Sequence, residues 1–286
     1  MLESIINPKR IERGPVKMFF VGLLFATLSL LIVHWACSSD FVLSQYSGMI
    51  VVTFCVMFSF PYLYFLIKQE EREDEMVEGF RGVWGVHKDA IFAFMWLFLG
   101  FIVAFSAGNI IIQDENLFNA QLQTYCMINE PGNIDSCIAR SSPDSLNIQT
   151  GAVTKELRLL SIIENNVYVM IFTLLFSLIF GAGAIFILAW NASVIASAIG
   201  IFTKYELSQL PFGIFRYMIH GVPEIAAYFV TALAGGILGT GIIRRHLKEG
   251  RFLRILENCV ILIFIGILFL IFGAVIEVYF TPIFFN

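Results

Sequence analysis

The residues of this chain that could do chemistry are a histidine and two carboxylates inside apolar segments. His220 and Glu224 lie in the stretch HGVPEIAAYFVTALAGGILGTG, and Glu277 lies in AVIEVYFTP near the end of the last apolar run. His220 and Glu224 are four residues apart, so they share one face of a helix. Ionisable groups at membrane depth are candidates for function, because lipid does not solvate them. Together the three side chains form a candidate metal-ligand set or proton relay.

Three interpretations of this intramembrane polar cluster stay open. In the first, its side chains lock helices together with the amides of Asn165, Asn166 and Asn191, each interhelical hydrogen bond contributing about 0.6–2 kcal/mol. In the second, the cluster forms a transport or proton pathway, and in the third it binds a metal ion for chemistry. No HExxH, nucleophile-elbow or P-loop motif accompanies it, so the sequence predicts no enzyme activity. No cofactor is predicted, and a metal ion is the single candidate.

Composition predicts the fold class before any motif does. Of the 286 residues, 58% are hydrophobic and 14% charged, and the mean hydropathy is +0.81, which is typical of a polytopic membrane protein. We therefore predict an all-α transmembrane helix bundle, a single integral membrane domain over residues 1–286. The chain has room for about six or seven helices of roughly 20 residues. A net charge of -4 is too small to imply a nucleic-acid partner.

The basic residues predict the orientation of the bundle. Lys9, Arg10, Arg13 and Lys17 precede the first apolar run, so the N-terminus should be cytoplasmic. The predicted spans are residues 18–36, 47–67, 89–112, 165–190, 220–243 and 260–280, with a further crossing over residues 191–217. An odd number of crossings places the C-terminus on the extracytoplasmic side.

The crossing over residues 191–217 is a poor simple helix. Lys204, Glu206 and Pro211 interrupt it. We expect a discontinuous helix there, and a re-entrant hairpin that never crosses is the alternative.

Two connecting segments carry the remaining polar residues. Residues 113–164 should form an extracytoplasmic loop, where Cys126 and Cys137 would meet an oxidising compartment. A disulfide between these two cysteines and two free thiols both stay open. Residues 68–88 are a charged cytoplasmic loop, and His87 is expected at headgroup level.

Glycines within the spans predict where helices approach closely. Gly181 and Gly183 lie in the span over residues 165–190. Gly235, Gly236 and Gly239 form a candidate packing seam, in which Gly235 and Gly239 have GxxxG spacing. Such glycine-lined faces could also mediate self-association.

An ordered set of motifs in the C-terminal half resembles a known family. Asn165 and Asn166 open a glycine-containing span and Asn191 closes it; HGVPE and a small-residue helix follow, and IEVYFTP ends at Pro282. This combination resembles the stage II sporulation protein M family over about residues 165–282. Ala192 departs from the glycine that often follows the closing asparagine, and residues 1–164 carry no motif that we match.

The resemblance implies a multi-spanning membrane protein without an established catalytic activity. The family's namesake works with cell-wall-degrading partners during engulfment, as a membrane anchor or scaffold. Many relatives occur in organisms that form no spores, so the engulfment role does not transfer. For this chain we expect a scaffold in the cell membrane whose partners are the lipid bilayer and other membrane or cell-envelope proteins.

Overall fold

The described part of the chain is helical in the computed structural model, which describes residues 16–74, 76–77, 79–114, 116–129, 134–140, 155–180, 184–243 and 251–285. No strand occurs within these ranges. The helices are α1 (Val16–Cys37), α2 (Phe41–Gln45), α3 (Ser47–Asp74), α4 (Gly79–Ile112), α5 (Asn119–Asn129), α6 (Ile134–Arg140), α7 (Lys155–Phe180), α8 (Ala184–Phe202), α9 (Leu210–Ile243), α10 (Arg251–Val275) and α11 (Thr281–Phe285). A short 3-10 turn, Leu207–Gln209, leads into α9, and a π-helical turn, Ile276–Phe280, joins α10 to α11.

Seven of the described helical segments are long and apolar enough to cross a membrane. They are Val16–Cys37, Ser47–Asp74, Gly79–Ile112, Arg158–Ile179, Ala184–Phe202, Leu207–Ile242 and Phe252–Phe284. The predicted all-α polytopic bundle is confirmed, with the larger of the two expected span counts.

The boundaries of the middle spans differ from the predicted ones. Residues 165–190 were expected to form one span, but α7 ends at Phe180 and α8 begins at Ala184. The predicted interruption near Lys204 and Glu206 lies between α8 and α9, where Lys204 and Tyr205 have positive φ angles of 51° and 57°. It separates two full-length candidate spans, so the expected discontinuous or re-entrant helix is replaced by two helices. The reason is that each side of the break is apolar and long enough to be a span of its own.

Helix α9 lies at the centre of the bundle, where it packs against α3, α4, α7, α8 and α10. The rings of Phe94 and Phe229 stack across the α4–α9 contact, with centroids 5.1 Å apart. Glycines bring α9 close to α7: a Cβ at Gly235 would lie 2.7 Å from the Leu174 carbonyl oxygen, and one at Gly239 would overlap the backbone of Leu178.

The predicted packing glycines have different outcomes. Gly236 faces α3, because a Cβ there would lie 2.7 Å from the Ile67 side chain. Since Gly235, Gly236 and Gly239 all contact helices of the same chain, their seam is not available for self-association. Gly181 and Gly183 lie outside the described residues.

Helices α5 and α6 form a unit that we call the outer platform, after the side of the membrane on which the sequence predicts it. The Cys126–Cys137 disulfide joins them, with a Cα–Cα distance of 5.7 Å, so of the two alternatives that the sequence left open the disulfide is present. Gln121 is fully buried and its Nε2 donates to the Gly48 carbonyl at 3.0 Å. Ser47 Oγ donates to the Asn116 carbonyl at 2.9 Å just before α5. These bonds tie the outer platform to the start of α3.

The last part of the expected loop is already a membrane helix. Residues 155–164 belong to α7, whose apolar span begins at Arg158. The segment before α7 therefore ends about ten residues earlier than the predicted loop boundary. The reason is that residues 155–164 are helical and continuous with the span that follows them.

Candidate functional site

One face of α9 carries the first group of polar side chains. His220, Glu224 and Tyr228 follow one another at intervals of four residues, so they lie along one side of the helix. Leu210 begins α9, so at 1.5 Å per residue His220 lies about 15 Å along the helix. We call these residues and their partners from α7, α10 and the π-helical turn the outer cluster, after the side of the membrane that the sequence predicts for them.

Helix α7 contributes Asn166, which is 6% exposed. Its side-chain oxygen accepts a hydrogen bond of 2.6 Å from the Tyr228 hydroxyl, and its amide also bonds the Glu224 carboxyl. A single asparagine therefore links two residues of α9. Asn165, its neighbour in sequence, is half-buried.

Glu277 reaches the outer cluster from the π-helical turn after α10. It interacts electrostatically with Glu224, and its Oε1 lies 3.6 Å from an Nη atom of Arg158 on α7. A π-helical turn inserts one residue into the helical repeat, and such turns are frequent at functional sites. The turn also places Thr281, whose hydroxyl lies 3.3 Å from His220 Nδ1.

A glycine on α10 makes room for the buried acid. A Cβ at Gly273 would lie 2.6 Å from Glu224 Cγ and 3.2 Å from the His220 carbonyl oxygen. Glu224 Oε1 is buried and has no hydrogen-bond partner among the described residues. The outer cluster thus encloses a carboxyl oxygen that no described protein group satisfies.

The three candidate metal ligands do not converge on one point. Across the described ranges, no three His, Cys, Asp or Glu side chains are placed to hold a metal ion. The candidate ligand set of His220, Glu224 and Glu277 is therefore not supported by the geometry. The reason is that His220 turns towards Thr281 and Glu277 towards Arg158, so the three groups do not point at one centre.

One residue of the predicted polar cluster lies elsewhere in the structure, and three residues of the outer cluster were not predicted. Asn191 lies in the middle of α8, where its Nδ2 donates to the Ile187 carbonyl at 2.7 Å; it has this role because α8 begins earlier than expected. Tyr228, Thr281 and Gly273 were not predicted. The signal for Tyr228 was its position four residues after Glu224.

A second polar group lies where α3 ends and α4 begins, and we call it the inner triad, after the cytoplasmic position that the sequence predicts for this junction. His87 Nδ1 lies 2.7 Å from Glu70 Oε2, and its Nε2 lies 3.0 Å from Asp74 Oδ1. None of the three side chains is more than 1% exposed. The expectation that His87 lies among lipid headgroups is wrong, because α4 turns this residue towards α3.

Helix α10 secures the same junction. Asn258 is 1% exposed and its Nδ2 donates to the backbone carbonyls of Asp74 and Val77, at 3.2 and 3.1 Å. The end of α3 is therefore held by both α4 and α10. The sequence signal for the inner triad was the four-residue spacing of Glu70 and Asp74. Both residues lie in the segment predicted as a charged cytoplasmic loop, so the sequence did not single them out.

Comparison with known proteins agrees with this architecture. The model of the family described as stage II sporulation protein M matches residues 18–282. This match extends well beyond residues 165–282, so the family also includes the first three spans and the outer platform. No curated protein and no solved structure matches the chain. The match over nearly the whole chain, with the seven apolar helices, shows that this membrane protein belongs to the stage II sporulation protein M family.

Proposed function

We propose that this protein is a membrane scaffold that organises a complex of cell-envelope proteins through its outer platform. The observation that carries the proposal is the anchoring of the outer platform to the bundle. A docking surface loses less conformational entropy on binding when it is already ordered, and the disulfide, Gln121 and Ser47 provide this order.

Buried apolar contacts add to the anchoring. Leu117 and Phe118, just before α5, are 1% and 3% exposed. The Phe118 ring meets the Phe105 ring of α4 edge to face, with centroids 5.9 Å apart. Helix α5 also packs against α8. The outer platform is therefore continuous with the core of the bundle.

Exposed apolar side chains on the outer platform supply a contact surface. Met127 is 59% exposed and Ile128 is 43% exposed, both next to the disulfide-bonded Cys126. Methionine and aliphatic residues are suited to protein contacts, because their burial releases water from apolar surface. We assign the contact with an envelope partner to these two residues.

The proposal places the protein in the cell membrane with the N-terminus in the cytoplasm and the C-terminus outside. The basic residues before α1 support this orientation. The disulfide supports an extracytoplasmic outer platform, because disulfides persist in oxidising compartments. Seven candidate spans among the described residues, an odd number, support termini on opposite sides of the membrane.

The test is the mass of the complex that contains the protein after mild detergent extraction from its own host membrane. We expect the natural chain to migrate well above its 32.3 kDa, with envelope proteins identified in the band. The Met127→Asp/Ile128→Asp variant should lose them, whereas Val42→Asp, the same change at an exposed residue of α2, should keep them. A monomeric natural chain, or an unchanged complex in the double variant, would contradict the proposal.

A second function, proton-coupled transport, is favoured by the unsatisfied Glu224 Oε1 beside Glu277. Carboxyls that face a bundle interior often mark ion pathways. In proteoliposomes containing a pH-reporting dye, the natural chain would then pass protons and Glu224→Gln would not. Equal flux from both folded proteins would refute this second function.

A further inference from the structure

The segment that joins α1 to α3 exposes large apolar side chains. It covers residues 35–46, and we call it the outer turn, after the outer platform beside it. Trp35 is 84% exposed, Phe41 81% and Val42 60%, and Tyr46 at its end is exposed as well. Contiguous exposed apolar side chains of this kind mark a surface that contacts another molecule or a membrane.

The one charged residue of the outer turn is Asp40, and its carboxylate is used within the turn. Oδ1 accepts hydrogen bonds from the backbone N–H groups of Val42 and Leu43, at 2.8 and 2.9 Å. This N-cap orders the short helix α2. The carboxylate lies against the start of α2, so the exposed side chains after it are apolar or uncharged.

The two flanking spans fix the depth of the outer turn independently of each other. Asp40 is the only Asp, Glu, Lys or Arg residue between Lys17 and Lys68. At 1.5 Å per residue, Cys37 at the end of α1 lies about 30 Å beyond Lys17. Ser47 at the start of α3 lies about 32 Å before Lys68. Both distances match the hydrocarbon core of a bilayer, which is about 30 Å thick. The outer turn therefore lies where hydrocarbon meets headgroups.

The outer turn also connects two apolar faces of the spans. Exposed apolar residues recur on α1 at helical spacing, and they are Phe20, Leu24, Leu28, Leu31 and Trp35. A second such face starts at the end of the outer turn and continues along α3, and its members are Tyr46, Met49, Met57, Phe60 and Tyr64. Apolar faces of membrane spans meet lipid tails, which are as apolar as leucine. The outer turn is continuous with this lipid-facing surface at both ends.

We infer that the outer turn inserts its exposed side chains into the lipid leaflet on the side of the outer platform, where acyl chains meet headgroups. Trp35 and Tyr46 suit this depth, because their rings are apolar and their N–H and O–H groups reach water. Phe41 and Val42 remove apolar surface from water there. Since Ser47 bonds the segment before α5, the base of the outer platform lies at the membrane surface. The inference is independent of the scaffold function, because it concerns lipid and not a protein partner.

The first experiment measures which molecules reach a nitroxide spin label at Val42→Cys in the full chain, reconstituted in phosphatidylcholine vesicles. Oxygen collides with labels in lipid, and a nickel chelate collides with labels in water. Leu24→Cys is the lipid reference, because Leu24 is 55% exposed on α1, and Gln123→Cys, exposed on α5, is the water reference. The natural chain is the blank, since its free cysteines are buried.

The ratio of oxygen to nickel collisions at Val42→Cys should be several-fold higher than at Gln123→Cys. A ratio equal to that of Gln123→Cys would place the outer turn in water and overturn the inference. A label that neither reagent reaches would mean that a protein or a second copy of the chain covers the outer turn, which would also overturn it.

A second measurement uses the natural side chain of Trp35, the one tryptophan of four that is exposed. Its fluorescence is the difference between the natural chain and Trp35→Phe in vesicles of brominated phosphatidylcholine. Bromine near the carbonyl end of the acyl chain should quench this difference more strongly than bromine near the methyl end. Stronger quenching from the methyl end, or none from either, would overturn the interfacial position.

Discussion

The outer cluster and the inner triad use the same types of side chain in opposite ways. In the inner triad one histidine lies between two carboxylates and contacts an oxygen of each, at 2.7 and 3.0 Å. In the outer cluster the histidine turns to a threonine, and Glu224 and Glu277 meet with Arg158 as a half-exposed counter-ion. In the inner triad both carboxylates have the histidine as a partner, whereas in the outer cluster the histidine contacts neither acid in the described contacts and Glu224 Oε1 has no hydrogen-bond partner among the described residues. Composition alone does not distinguish the two, because the partner of each histidine decides the charge balance.

We expect the largest effect on stability from removal of His87, the histidine of the inner triad. His87→Ala leaves two buried carboxylates without their cation, which should lower the free energy of unfolding by about 3–5 kcal/mol. Reversible unfolding in mixed detergent micelles measures this loss. Ser106→Ala is the control on the same helix, because its buried Oγ has no partner among the described residues and should be close to neutral. Equal stability of His87→Ala and the natural chain would remove the distinction between the two groups.

The second-largest effect on stability is expected for the 2.6 Å hydrogen bond between Tyr228 and Asn166 in the outer cluster. Tyr228→Phe removes the donor to Asn166 and should lower the free energy of unfolding by about 1 kcal/mol, the scale of interhelical hydrogen bonds in membranes. A double-mutant cycle with Asn166→Ala isolates the pair. Zero coupling would show that this bond does not hold α7 to α9.

Replacing one acid of each group by glutamine tests whether the two groups differ in charge balance. Glu224→Gln removes an acid beside Glu277 and should raise the free energy of unfolding by about 1 kcal/mol, since it relieves like-charge repulsion. Glu70→Gln should lower it, because His87 loses a carboxylate partner. Unfolding of the two variants under one condition compares them. Changes of the same sign would mean that both groups have one kind of charge balance.

The smallest effect is expected at the rim of the outer cluster. Arg158 is 54% exposed and lies 3.6 Å from Glu277, so Arg158→Gln should change the free energy of unfolding by at most about 1 kcal/mol. The difference should shrink in high salt, because salt screens exposed charges. A large, salt-independent loss would indicate that Arg158 compensates Glu224 as well.

How much could be predicted from sequence differs between the two groups. His220, Glu224 and Glu277 stood out because they interrupt apolar runs, and Tyr228 could have been added from helical spacing alone. His87, Glu70 and Asp74 lie among ten or more charged residues, in the segment predicted as a charged cytoplasmic loop with His87 at headgroup level. A charge in an apolar run is conspicuous, whereas a buried charge at the end of a span has the same local sequence as an exposed one.

The sequence by itself determined the class of protein, its family and the approximate spans, and it named two cysteines as candidates for pairing. These properties follow from composition, from local periodicity and from ordered motifs, all of which are read along one dimension. Tertiary structure decided which face of α4 meets α3, and therefore that His87 is 0% exposed. It also decided that the glycines of α9 contact α7 and α3. The physical reason is that helical periodicity fixes which residues share a face, but packing against neighbouring helices fixes what that face meets.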